Sequence, residues 1–185
     1  MWTRKMKGAA MAVTVALATL GVARMGYAGT NDPQLVSEAR QTIGLYKKAD
    51  PGIDAFFKRS VGYVVFPGIG KGGLGIGGAH GTGVLFENGA PVGKVTMNQV
   101  TIGAQAGGQE FSQIIFYEVP GPLHELKGGH ASFSAGVSAV ALSSGAASSA
   151  RFNNGVAVFT ATKGGLMLEA SVGGQKFSYD PLPAL

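Results

Sequence analysis

The sequence contains no cysteine. Disulfides, thiolate metal sites, thiol catalysis and a lipid anchor on an N-terminal cysteine are therefore excluded. Histidine is nearly as scarce, with His80, His124 and His130 the three in the chain. His124-Glu125 opens the metalloprotease pattern H-E-x-x-H, but Gly128 stands where the second histidine belongs. Acidic residues are few and scattered, and the serines crowded into 132–149 lack the G-x-S-x-G elbow of a hydrolase. Nothing assembles a nucleophile, a base and an orienting group. No catalytic residue, metal ligand or cofactor is expected, and the chain reads as non-enzymatic.

Long apolar runs are also rare, and the exception stands near the start. MWTRKMK carries Arg4, Lys5 and Lys7, and GAAMAVTVALATLGVA (8–23) follows without a charge. Gly26-Tyr27-Ala28 then supplies small residues at the −3 and −1 positions of a cleavage site. This is the three-part plan of a secretory signal peptide over residues 1–28, and the apolar run is shorter than the roughly 20 residues that span a bilayer. The expected destination is the periplasm or the exterior. Arg4, Lys5, Lys7 and Arg24 belong to this leader, so only 11 of the 15 basic residues remain against 10 acidic ones. A near-neutral chain has no broad electrostatic footprint for nucleic acid, and none is expected as a partner.

Residues 29–185 read as one domain. Asp32-Pro33 and Asp50-Pro51 repeat one signal, an Asp that caps free N–H groups followed by proline at the first helical position. In PQLVSEARQTIGLYKKA, Leu35, Val36, Ala39, Ile43 and Tyr46 recur at helical spacing, and Lys47 and Lys48 close the last turn. A second helix, PGIDAFFKRS, ends in Lys58 and Arg59, with Phe56 and Phe57 expected in the core. From Gly62 onward the pattern is strands and turns. Asn88-Gly89 marks a hairpin between GTGVLF and PVGKVTM. FSQIIFYEV stops at Pro120 and Pro122, LHELK allows at most one helical turn, and SFSAGVSAVAL, GVAVFTAT and LMLEASV continue as strands. The expected class is α+β, with N-terminal amphipathic helices packed on a curved, mostly antiparallel, Gly-rich sheet or partial barrel of about seven strands.

The stretch GIGKGGLGIGGAHGTG (68–83) is more than half glycine. Gly68, Gly70 and Gly73 fit G-x-G-x-x-G, a motif that binds pyrophosphate only where a helix N-terminus follows. Five glycines at 75, 77, 78, 81 and 83 disfavour that helix, each by about 0.8–1 kcal/mol. A P-loop fails as well, because Val65 occupies its first glycine position and Gly72 follows Lys71. Taken at period two, positions 73, 75, 77, 79, 81 and 83 are Gly, Gly, Gly, Ala, Gly, Gly. One face of such a strand is almost bare, which suits close packing or curvature, or contact with a ligand.

GYVVFPGIGKGGLGIGGAHGTGVLFENG (62–89), VTIGAQAGGQEFSQIIFYE (100–118) and LKGGHASFSAGVSAVA (126–141) resemble the SYLF domain. That family is lipid-binding, with exported bacterial relatives. The resemblance implies a phospholipid-binding module whose N-terminal amphipathic helix and basic residues meet an anionic membrane. Here the helix is 33–48, and Lys47, Lys48, Lys58, Arg59 and Lys71 are the basic residues of that region. The expected partner is anionic phospholipid, bound peripherally. A soluble periplasmic structural or protein-interaction module without a lipid ligand, using sheet edges and small-residue faces, is the second reading. VFTATKGGLMLEAS departs from the family pattern by the inserted Gly165 and by Met167 in place of an aromatic.

Overall fold

Val64-Val65-Phe66, Val84-Leu85-Phe86 and Ile114-Ile115-Phe116-Tyr117 are apolar at every position, so a strand carrying them needs cover on both faces. The computed structural model describes residues 33–133, 138–162 and 173–182 and supplies that cover. The expected leader, the strand LMLEASV, the Gly165–Met167 departure and part of SFSAGVSAVAL lie outside the described residues.

Helix α1 spans Pro33–Ala49. A 3₁₀ turn at Pro51–Ile53 leads into α2 at Asp54–Arg59. Two long strands follow, β1 at Gly62–Glu87 and β2 at Ala90–Tyr117. They pair antiparallel from Glu87↔Ala90 at the turn to Gly62↔Tyr117 at the far end. Asn88 and Gly89 form the turn at φ 51° and 76°, which is the I′ conformation that Asn-Gly favours. After α3 (Pro120–Lys127) come β3 (Ala139–Ala141), the short α4 (Ala146–Ser149), β4 (Val156–Thr162) and β5 (Gln175–Pro181).

The class is mixed α+β, and the sheet is open and mostly antiparallel, with β3–β4 its parallel pair. β2 is its spine. One edge carries β1, and the other carries β5 against residues 93–99 and β4 against residues 111–117. The sequence suggested separate strands at GYVVF, GTGVLF, PVGKVTM and FSQIIFYEV. They are segments of two continuous strands, interrupted only by register shifts at Phe66/Ile69, Leu74/Ile76 and Leu85/Phe86. Pro67 falls within the first shift, on an edge strand, where a missing N–H is tolerated.

β1 doubles back on itself. Straight, it would place Gly62 about 80 Å from Phe86 at roughly 3.3 Å per residue. Instead a Cβ built on Gly62 would lie 3.3 Å from the Phe86 carbonyl oxygen. Built on Gly83, it would lie 2.5 Å from the Val65 carbonyl oxygen, and on Gly81, 2.6 Å from the Ile69 side chain. The fold of the strand falls between these arms, where Gly73 takes φ 155°. Glycine at 81 and 83 therefore serves close packing of one arm of β1 on the other.

The two faces build two cores. Val64, Phe66, Ala79, Leu85, Ile115 and Tyr117 join Leu123 and Leu126 of α3 in one buried cluster. Val65, Val84, Phe86, Ile114, Phe116 and Phe159 join Ala39, Tyr46, Ile53 and Phe56 of the N-terminal helices in the other. The Tyr46 hydroxyl donates to the Ser112 carbonyl oxygen at 2.9 Å, and burial pushes its pKa well above the ordinary phenol value.

Two local expectations need correction. LHELK is the end of an eight-residue helix, not a single turn, because Pro120 and Pro122 begin the helix instead of blocking it. Its Leu123 and Leu126, one turn apart, are both buried. The Ser/Ala-rich region is not one small-residue strand. Its described part has three residues of strand and the four-residue α4, begun by Gly145 at φ 81°.

Candidate functional site

The basic residues singled out from the sequence do not behave as one group. Lys47 and Lys48 close α1, and Lys58 and Arg59 close α2. Lys47 Nζ lies 2.8 Å from Asp54 Oδ1 and 4.7 Å from the centre of the Phe57 ring. The hydrogen bond from Lys47 is the largest influence on Asp54 and holds its carboxyl below the usual carboxylate range, aided by the charges of Lys47 and Lys58. The connection between the helices thus brings Lys47 and Lys58 around one carboxylate. Lys48 and Lys58 are exposed and take part in none of the ion pairs among the described residues.

Arg59 is committed elsewhere. It forms an ion pair with Glu118, and its guanidinium lies 5.0 Å over the Phe152 ring. Lys71 is half-buried on β1 opposite Gln109, and shares no partner with the other four among the described residues. Gly68, Gly70 and Gly73 lie inside the continuous strand β1, so no helix N-terminus follows the G-x-G-x-x-G pattern. Phe56 is buried at 4% exposure, within an aromatic group that includes Phe116, Phe152 and Phe159.

The sequence reading missed three contributors. Arg40, two turns before Lys47 on α1, sits 5.5 Å over the Phe86 ring. Tyr63, the second residue of β1, stacks on Phe86 and meets Phe57 edge-on. Leu45 on α1 is 66% exposed, three residues before Lys48. The seven-residue spacing of Arg40 and Lys47 was visible in the sequence. Their ring partners, Phe86 of β1 for Arg40 and Phe57 of α2 for Lys47, are distinct, and nothing local announced them.

Among the described residues no helix is long and apolar enough to cross a membrane, and no group of three His, Asp or Glu residues is placed to hold a metal ion. His80 faces Asn98 across the β1–β2 ladder, with 2.8 Å between Nδ1 and Oδ1. The arrangement around α1 and α2 offers cations anchored on aromatic rings, with the exposed Leu45 on the other flank of α1. That combination suits noncovalent capture of an anion at an interface.

In comparisons with known proteins, no family model matches the chain and no curated protein matches it.

Proposed function

We propose that the protein is an exported, non-enzymatic SYLF-type domain that binds anionic phospholipid at a periplasmic membrane face. In this reading residues 1–28 are removed on export, and residues 29–185 form a curved, glycine-rich partial barrel with helices packed on it. The observation that carries the proposal is that Lys48 and Lys58, near the ends of α1 and α2, are exposed and belong to none of the ion pairs among the described residues. A basic residue near an anionic surface contributes about 1 kcal/mol. Lys48 and Lys58 then supply about 2 kcal/mol, Lys47 less because Asp54 already holds it, and Leu45 adds apolar contact. Attachment is weak, peripheral and salt-sensitive. Arg59 and Lys71 are secondary contributors in this reading.

Flotation of the purified protein with vesicles tests it. Binding that requires phosphatidylglycerol, weakens with salt and drops in the Lys58→Glu variant supports the reading; failure to float with any vesicle overturns it. The second reading is a protein-interaction module without a lipid ligand. It is favoured by Val100, which is 74% exposed on β2.

A further inference from the structure

Asn-Gly occurs twice in the chain, at Asn88-Gly89 and Asn154-Gly155. The two turns share one backbone shape: Asn88 and Asn154 take φ 51° and 49°, and their glycines φ 76° and 77°. Both asparagines are exposed. Asparagine is a thermolabile residue, and glycine after it leaves the reacting nitrogen without a side chain to shield it.

The surroundings of the two turns differ. Gly89 is exposed, and a Cβ built on it would meet nothing within 4 Å. Beyond it, the turn is closed by the pair Glu87↔Ala90. Gly155 is held from outside its own turn. Its carbonyl oxygen accepts from the Glu118 amide at 2.8 Å, and a Cβ built on it would lie 2.5 Å from Val119 Cγ2. Asn153 and Val156 also exchange two backbone hydrogen bonds around it, at 2.8 and 3.0 Å.

We propose that Asn88 is a site of spontaneous deamidation, and that Glu118 and Val119 protect Asn154 from the same reaction. The Gly89 nitrogen gives its proton to solvent, and its electron pair attacks Asn88 Cγ. A carbon–nitrogen bond closes a five-membered succinimide, the bond from Cγ to the side-chain nitrogen breaks, and ammonia leaves. Water then opens the ring at either carbonyl, leaving aspartate or isoaspartate. Ring closure needs Asn Cβ and the Gly nitrogen eclipsed about the Cα–C bond, an arrangement outside the I′ turn, so each turn must open before it reacts. Opening at Asn88 disturbs the end of one hairpin. Opening at Asn154 must also break the bond from Glu118 and unpack Val119.

The product matters to the fold. It sets a new carboxylate beside Glu87, whose own carboxylate lies 2.7 Å from Lys127 of α3. Isoaspartate also adds a backbone carbon to a two-residue turn, which breaks its match to the strands it joins. None of this rests on the membrane reading.

Incubation of the full chain at mildly alkaline pH, followed by peptide mapping with mass spectrometry, tests the site. Asn88 is expected to convert at least about fivefold faster than Asn154, because one further hydrogen bond must open at the second turn. In urea the two sites should convert at similar rates, since the dipeptide is the same. Val119→Ala, at a half-exposed position, should speed conversion of Asn154 and leave Asn88 unchanged. Equal rates in the folded protein, a faster Asn154, or no conversion at Asn88 while the urea-unfolded chain reacts each overturn the proposal. An Asn154 rate indifferent to Val119→Ala overturns the protective role given to that contact.

Discussion

Asp50 and Ala147 stand 97 positions apart and are joined by a 2.7 Å hydrogen bond from the Ala147 amide to Asp50 Oδ2. The other carboxylate oxygen accepts from the Gly52 amide at 3.0 Å. One buried aspartate thus caps the turn between α1 and α2 and also the first turn of α4, tying the N-terminal helices to the segment before β4. Asp50→Ala leaves two amides without acceptors and is expected to cost about 2–4 kcal/mol. Asp50→Asn keeps one acceptor oxygen and should lose about half as much. Urea unfolding of the three proteins checks the order.

The doubled strand predicts an asymmetry among glycines. Gly83→Ala drives a methyl against the Val65 carbonyl oxygen and the Phe66 ring and should destabilise by about 3 kcal/mol. Gly70→Ala, where a Cβ meets nothing within 4 Å, should stay within about 1 kcal/mol of wild type. Thermal midpoints of the two variants decide whether the bare face is a packing surface.

Two buried phenols give opposite mutational outcomes. The Tyr117 hydroxyl is buried with no hydrogen-bond partner among the described residues, whereas Tyr46 is bonded to Ser112. Tyr117→Phe should be neutral or stabilise by about 1 kcal/mol, while Tyr46→Phe should cost about 1 kcal/mol. Burial raises both pKa values in the folded state. Unfolded phenols release protons near pH 10, so stability is retained below that pH and lost as pH rises above it, by up to about 1.4 kcal/mol per pH unit for each phenol. Unfolding at pH 9 and pH 11 should show a smaller alkaline loss in Tyr117→Phe than in wild type.

The basic residues should separate by their existing partners. Lys48→Glu and Lys58→Glu each remove an exposed cation and are expected to weaken binding to anionic vesicles at least fivefold, from about 1 kcal/mol per charge. Arg59→Glu breaks the pair with Glu118 and the contact with Phe152, so folding stability should move more than vesicle binding. Parallel flotation and denaturation of the three variants makes the comparison.

Local signals were legible in the sequence, and distant ones were not. The extent of α1 followed from its apolar spacing and terminal lysines, and Asn88-Gly89 marked its turn because the required backbone angles belong to those residue types. Pro67 and the glycines after it looked like strand ends because a bulge and an end use the same residues. Pro120 and Pro122 looked like terminators because proline that stops a strand also starts a helix. At the candidate site, Lys47 and Lys58 were chosen by charge alone. Arg59 was chosen on the same ground, although Glu118, lying beyond the whole β1–β2 hairpin, already engages it. Arg40 was passed over because its ring partner, Phe86, comes from the opposite end of β1.

The continuous β1–β2 ladder also sets an order of assembly. Its first pair, Glu87 with Ala90, joins near neighbours, and each further pair closes only one more rung until Gly62 reaches Tyr117. β4 and β5 dock on an edge of β2 that this zipping must first extend. The Asn88-Gly89 turn is therefore expected to nucleate the sheet, and in stopped-flow kinetics Gly89→Ala should slow folding more than it speeds unfolding.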